Sequence, residues 1–244
     1  MWQSLQRPIA AIRPARPSGA STRFAKQVLA IAWKDALAES RTKEVLSATF
    51  VFAVLVLVVF NFAFELRVET TLPLAPGVLW VAITFAGVLG LGRSFVAERD
   101  RGCLEGLMLC PADRGAIYLG KLLGNLLFMV VVEAILLPLF FVLFNLPAFT
   151  PGLLAIVALG SLGFAAVGTL FSAVAVNTRT REVMLPVLLF PMAVPVLIAS
   201  VKGTGLALEG KGWDSLLPWL NILIAFDAIF LVVCFVVFEY VLEE

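Results

Sequence analysis

Charged and polar side chains are scarce in this sequence, and one cluster stands out. Residues 98–114 read Glu-Arg-Asp-Arg-Gly-Cys-Leu-Glu-Gly-Leu-Met-Leu-Cys-Pro-Ala-Asp-Arg. Charge is dense over Glu98, Arg99, Asp100 and Arg101, whereas Leu104, Leu107, Met108 and Leu109 recur near helical spacing. Pro111 stops that run, and Asp113 is placed to cap the next helix. A short helix that is apolar on one face and charged at its start suits docking into a partner's groove. The same pattern also fits an ordinary polar loop with a short interfacial helix.

A second set of polar residues lies inside long apolar runs. Glu133 sits among Val and Leu, with Asn125 two turns earlier on roughly the same helical face and Asp227 in a later run. An unpaired carboxylate in hydrocarbon is costly, so Glu133 is expected to be protonated, paired or turned to a polar interior. It then belongs either to a transmission or subunit-contact path or to a plain hydrogen bond with a neighbouring helix. Pro138 is a plausible kink point, and Pro191 and Pro195, four residues apart, each remove a backbone donor. They fit a mobile element, a cavity lining or a fixed bend. The chain contains no histidine, which removes the commonest general base, zinc ligand and haem axial ligand. Cys103, Cys110 and Cys234 have no metal-finger spacing, and Cys110-Pro111 alone is a weak haem-binding signal. No metal-ligand cluster or nucleophile motif supports a membrane-embedded enzyme built on Glu133 and Asp227, and no cofactor or metal is expected on this chain.

The elements that must position these residues are membrane spans. Of 244 residues, 61% are hydrophobic and 14% charged, against about a quarter charged in soluble domains. Mean hydropathy is +1.02. So much apolar surface needs a bilayer, and the net charge of +1 gives no argument for nucleic acid. Spans are expected at about 46–64, 76–96, 117–144, 152–176, 183–201 and 218–240, each near the roughly 20 residues a crossing helix needs. These runs lack the alternation of barrel strands. Residues 1–22, rich in Arg, Pro, Ser and Ala, are expected to be a disordered basic tail, although their acid-free character is also that of a transit peptide. Residues 23–244 then form a single membrane domain. Over 23–44, Leu29, Ala32, Trp33, Ala36 and Leu37 share one helical arc, with Phe24 and Ile31 away from it. This segment reads as an interfacial helix or a helical lead-in to the first span.

Lys and Arg fix an expected orientation. Eight precede the first span, five lie in or at the edge of the second connection (Lys121 the last of them) and two in the fourth. The opposite side has Arg67, Lys202 and Lys211. Fifteen against three places both termini in the cytoplasm by the positive-inside rule.

The stretch from Phe95 through Lys121 resembles the loop between the second and third spans of type-2 ABC exporter permeases. More narrowly, Ala75-Pro-Gly-Val-Leu-Trp80, Leu91-Gly-Arg-Ser-Phe95, Leu104-Glu-Gly-Leu107 and Phe190-Pro-Met-Ala-Val-Pro-Val-Leu-Ile198 resemble CcmB, the haem exporter B family of cytochrome c maturation. The resemblance covers about residues 24–240. It implies an all-α integral membrane protein of six transmembrane helices with a cytoplasmic coupling helix, in a bacterial-type inner membrane. It further implies a non-catalytic permease subunit, with ATP bound and hydrolysed on a separate CcmA-like ATPase and haem handled by a CcmC-like membrane subunit. A homodimer is expected by analogy with six-span permeases. The second loop would be the coupling element. There Glu98, Arg99, Asp100 and Arg101 would pair with charges on the ATPase, Gly102 would allow the turn, and Leu104, Leu107 and Met108 would fill its groove. Glu105 would be the foremost coupling residue. A type-2 permease for another cargo, such as a drug, lipid or polysaccharide, would share this loop without the other motifs.

Overall fold

The computed structural model describes residues 20–42, 44–65, 72–96, 113–146, 150–176, 178 and 181–241. Among these the chain is all helix: α1 (Ala20–Thr42), α2 (Glu44–Glu65), α3 (Ala75–Ser94), α4 (Arg114–Phe144), α5 (Pro151–Val176), α6 (Arg181–Leu208) and α7 (Trp213–Val241). All except α1 are long and apolar enough to cross a membrane. The expected coupling residues Glu98, Arg99, Asp100, Arg101, Gly102, Leu104, Glu105, Leu107 and Met108 lie outside the described residues, as does most of the expected tail.

Helix ends follow local chemistry. Asp113 caps α4, its carboxylate accepting the Gly115 amide at 3.0 Å. Asn145 ends the same helix in the left-handed conformation, at φ 47°. One helix outruns its expected bound. The fifth span was expected to end at 201, before Lys202, yet α6 continues to Leu208, so Lys202 is a helical residue rather than part of a connection. The extension is held by Thr204, which is fully buried and accepts the Trp80 indole N–H at 3.0 Å.

α5 is the centre of the bundle, with α3, α4, α6 and α7 packed around it. Lipid supplies no hydrophobic drive between helices, so close packing and interhelical hydrogen bonds must hold them. Glycines make the notches. A methyl group at Gly168 would run into Leu91, one at Gly160 into Trp80 and Ser200, and one at Gly87 into Phe164. The outer faces of α2, α6 and α7 carry exposed Val, Leu, Ile and Phe, as contact with acyl chains requires. Pro138 on α4 and Pro191 and Pro195 on α6 are exposed, whereas Pro186 is half-buried. Pro191 and Pro195 thus line no cavity inside the described bundle.

α1 packs on the protein through a face other than its apolar arc. Leu29 and Trp33 are 63% and 68% exposed, whereas Val28 and Ile31 are buried. Ile31 packs onto Gly120 of α4, and Asp35 onto Gly124 one turn further on. The expected arc is thus the free face, and the misfit Ile31 makes the protein contact.

Candidate functional site

Two groups of polar side chains are built into the bundle. The first is a seam between α4 and α5. Asn125 Nδ2 donates to Thr169 Oγ1 at 2.9 Å, and the Ser161 hydroxyl donates to the Glu133 carboxylate. Moving eight residues along α4 moves eight residues back along α5, so both pairs report one antiparallel register. Thr169 also donates to the Ala165 carbonyl at 2.7 Å, which completes its hydroxyl. Tyr118 adds a third contact, its hydroxyl donating to the Ala166 carbonyl at 3.1 Å. Each such bond is worth about 0.6 kcal/mol in a membrane, with a maximum near ~1.7. The seam therefore sets register more than it supplies stability.

Asp227 is not part of this seam. It lies on α7, 4% exposed, against the side of α5 that carries Gly163. Ser161 and Gly163 project from nearly opposite sides of α5 at 100° per residue, so α5 separates Asp227 from Glu133. Neither Asp227 oxygen has a hydrogen-bond partner among the described residues, and the same holds for Ser200 Oγ. A narrow crevice between α3 and α4 touches Glu133 and is lined by Ile83, Ala86, Gly87, Phe128, Met129 and Val132. It does not admit a water-sized sphere, so it has no room for a porphyrin.

The second group was not expected. Lys121, read as an edge-of-loop charge, is 1% exposed inside α4. Its Nζ lies 3.0 Å from Asp35 Oδ2 on α1, donates to the Ser94 carbonyl at the end of α3 at 3.1 Å, and sits 5.1 Å from the Phe95 ring centroid. The Ser94 carbonyl belongs to a last helical turn, where carbonyls have no intrahelical donor. Lys121 supplies one. Asp35 is also 3.2 Å from Lys34 Nζ. Phe95 touches Phe238, which stacks beside Tyr118, so α7 abuts the same node. Asn61 of α2 performs a similar task at the other end of α4, donating to the Leu143 carbonyl at 2.7 Å.

The run Gly115-Ala-Ile-Tyr-Leu-Gly-Lys121 has the spacing of a phosphate-binding loop, but Leu122 stands where Ser or Thr would ligate magnesium. All of it lies within continuous α4, where the backbone N–H groups are used in the helix. Its glycines seat neighbours instead, Gly115 against Phe235 and Gly120 against Ile31.

Six apolar helices, four of them packed around the notched α5, with buried polar pairs at their contacts, define an all-helical integral membrane protein of the permease class. The family model described as CcmB protein matches residues 26–242, which takes in every described span. The chain belongs to the CcmB family. It is similar to the heme exporter protein B of Pseudomonas aeruginosa, 29% identical over 181 residues that cover 74% of this chain and 81% of that protein. The heme exporter protein B of Rhodobacter capsulatus is 31% identical over 144 residues, covering 56% of this chain and 65% of its own length. That of Paracoccus denitrificans is 33% identical over 127 residues, 51% of this chain and 58% of its own.

Proposed function

We propose that this chain is the membrane-spanning permease subunit of an ABC transporter that handles haem for c-type cytochrome assembly. The family match across residues 26–242 carries this reading. ATP would be bound and hydrolysed on a separate CcmA-like subunit, and this chain would contribute no catalytic group. The haem-handling partner would be CcmC-like, and two copies of this chain would form the usual pair of half-units. The location is a bacterial-type inner membrane, with both termini in the cytoplasm as the fifteen-to-three distribution of Lys and Arg favours.

The coupling segment is residues 98–108. Glu98, Arg99, Asp100 and Arg101 alternate in sign and suit a charged rim, whereas Leu104, Leu107 and Met108 suit an apolar groove. Glu105 sits beside the apolar residues, where a reversed charge would be most disruptive. Movement of this segment, driven by ATP on the partner, would be passed through α3 and α4, the helices that flank it. The cargo step is either haem passage or release of haem from a partner subunit, and both use the same coupling.

The test is haem-peroxidase staining of membrane c-type cytochromes in a strain lacking this gene, complemented with wild type or Glu105→Lys. Loss of staining, recovery with wild type and failure of Glu105→Lys at normal protein level support the reading. Unchanged staining on deletion, with no second copy present, overturns it and favours a permease for another cargo.

A further inference from the structure

Segment 97–112 joins the end of α3, just past Ser94 and Phe95, to Asp113, two helical turns before Lys121. Both of its roots therefore converge on one buried cation. Lys121 contacts the α3 root through the Ser94 carbonyl and the Phe95 ring, and contacts α1 through Asp35. α1 is in turn seated on α4 by glycines, with Ile31 on Gly120 and Asp35 on Gly124. A methyl group at Gly120 would run into Ile31 and displace α1, and one at Gly124 would sit tightly against Asp35, 3.2 Å from its Cβ.

A buried ion pair is a weak source of stability, because removing both charges from water offsets most of their attraction. What it supplies here is direction. An ammonium has three donors and no acceptor; Lys121 donates to the Ser94 carbonyl at the end of α3 and forms an ion pair with the Asp35 carboxylate of α1. The end of α3 cannot turn or slide against α1 without giving up the charge-assisted bond to Ser94 or the ion pair, at a lysine 1% and an aspartate 19% exposed. An apolar contact would let the same surfaces slip.

We propose that Lys121 and Asp35 are a positioning pair that locks the end of α3 to α1 and α4, so that displacement of segment 97–112 by the ATPase moves the three helices together. This rests on the coupling role proposed above for that segment. It gives α1 a part in the cycle: its free apolar face, with Leu29 and Trp33, would shift in the membrane surface each time ATP turns over.

The test uses the assembled complex with its ATPase subunit. Lys121→Met/Asp35→Leu removes both charges of the buried pair together; Lys34 loses its contact with Asp35 but is 49% exposed, so no buried ion is stranded. The double variant is expected to reach the membrane and co-purify with the ATPase at wild-type levels. Mature c-type cytochrome formed per ATP hydrolysed should fall about tenfold, within the ~5–150-fold range of ordinary coupling energies. Wild-type yield per ATP overturns the inference. If the double variant does not accumulate, the wild-type node is probed directly. Spin labels are placed at Leu29→Cys on α1 and at Ile198→Cys on α6, a helix outside the locked unit, with Cys103 and Cys110 changed to serine. A change in interlabel distance on vanadate trapping supports the inference, and an unchanged distance overturns it. If the wild-type gene fails to restore cytochromes in the deletion strain, the functional reading itself falls, a result distinct from failure of the double variant alone.

Discussion

Gly160 is the point at which α3, α5 and α6 approach most closely in one place, and adding a single methyl group there tests the packing. In Gly160→Ala the new Cβ meets the Trp80 ring and Ser200 Oγ, with Trp80 Cζ2 at 3.1 Å. Trp80 cannot swing away easily, since it is 2% exposed and its indole N–H is tied to Thr204. Overpacking of this kind costs about 1–3 kcal/mol. The opposing term is the gain from replacing glycine in a helix, roughly 0.5–1 kcal/mol. The balance predicts a net loss of about 1–2 kcal/mol in equilibrium unfolding from mixed detergent micelles. Gly77→Ala is the control, because no heavy atom lies within 4 Å of its added methyl. It should be neutral or slightly stabilising. Adding Ser200→Ala to Gly160→Ala should recover part of the loss, since the serine hydroxyl has no hydrogen-bond partner among the described residues. If Gly160→Ala unfolds at the same midpoint as Gly77→Ala, the notch is not what seats α3 and α6 on α5.

Two further substitutions probe the buried carboxylates. Glu133→Gln keeps an acceptor for the Ser161 hydroxyl and should cost less than about 1 kcal/mol, whereas Glu133→Ala loses the bond and its packing and should cost about 2–3 kcal/mol in the same unfolding assay. Asp227→Asn should leave stability equal or higher, because an unpartnered carboxyl loses nothing by becoming an amide of the same shape. A large loss on Asp227→Asn would mean that the carboxylate has a partner beyond the described residues.

The spans were legible because hydrocarbon demands long uncharged runs, and lipid enforces that rule on each helix separately. The cap at Asp113 was legible for the same local reason. Asn125 and Glu133 were placed on one face by spacing alone, and both do turn to α5. What spacing could not show was the side that faces protein. In a membrane the apolar face points outwards as readily as inwards, so on α1 the arc with Trp33 marks the free face and Ile31 the packed one. Lys202 looked like the end of a span, yet Thr204 and Trp80 extend the helix through a contact 124 residues apart. Lys121 looked like a loop charge because its partner, Asp35, lies far back in the chain. Polar residues in such a bundle are satisfied by tertiary partners, and a partner distant in sequence leaves no local trace.

The separation of Asp35 from Lys121 has a consequence for how the protein is made. The N-terminal helix leaves the ribosome first, while the glycine seat and the lysine that receive it are still unsynthesised. At about 5–20 residues per second, α1 exists for seconds without Lys121 to meet its aspartate and with nothing to dock on. Its stripe of Leu29, Trp33 and Leu37 gives it somewhere to wait, flat on the bilayer surface with the acid turned to water. Only when α4 has been threaded into the membrane can the two halves of the ion pair meet. The face that binds lipid in the finished molecule is thus also the face that parks the helix during biosynthesis, and docking of α1 becomes a late step that waits for insertion of α4.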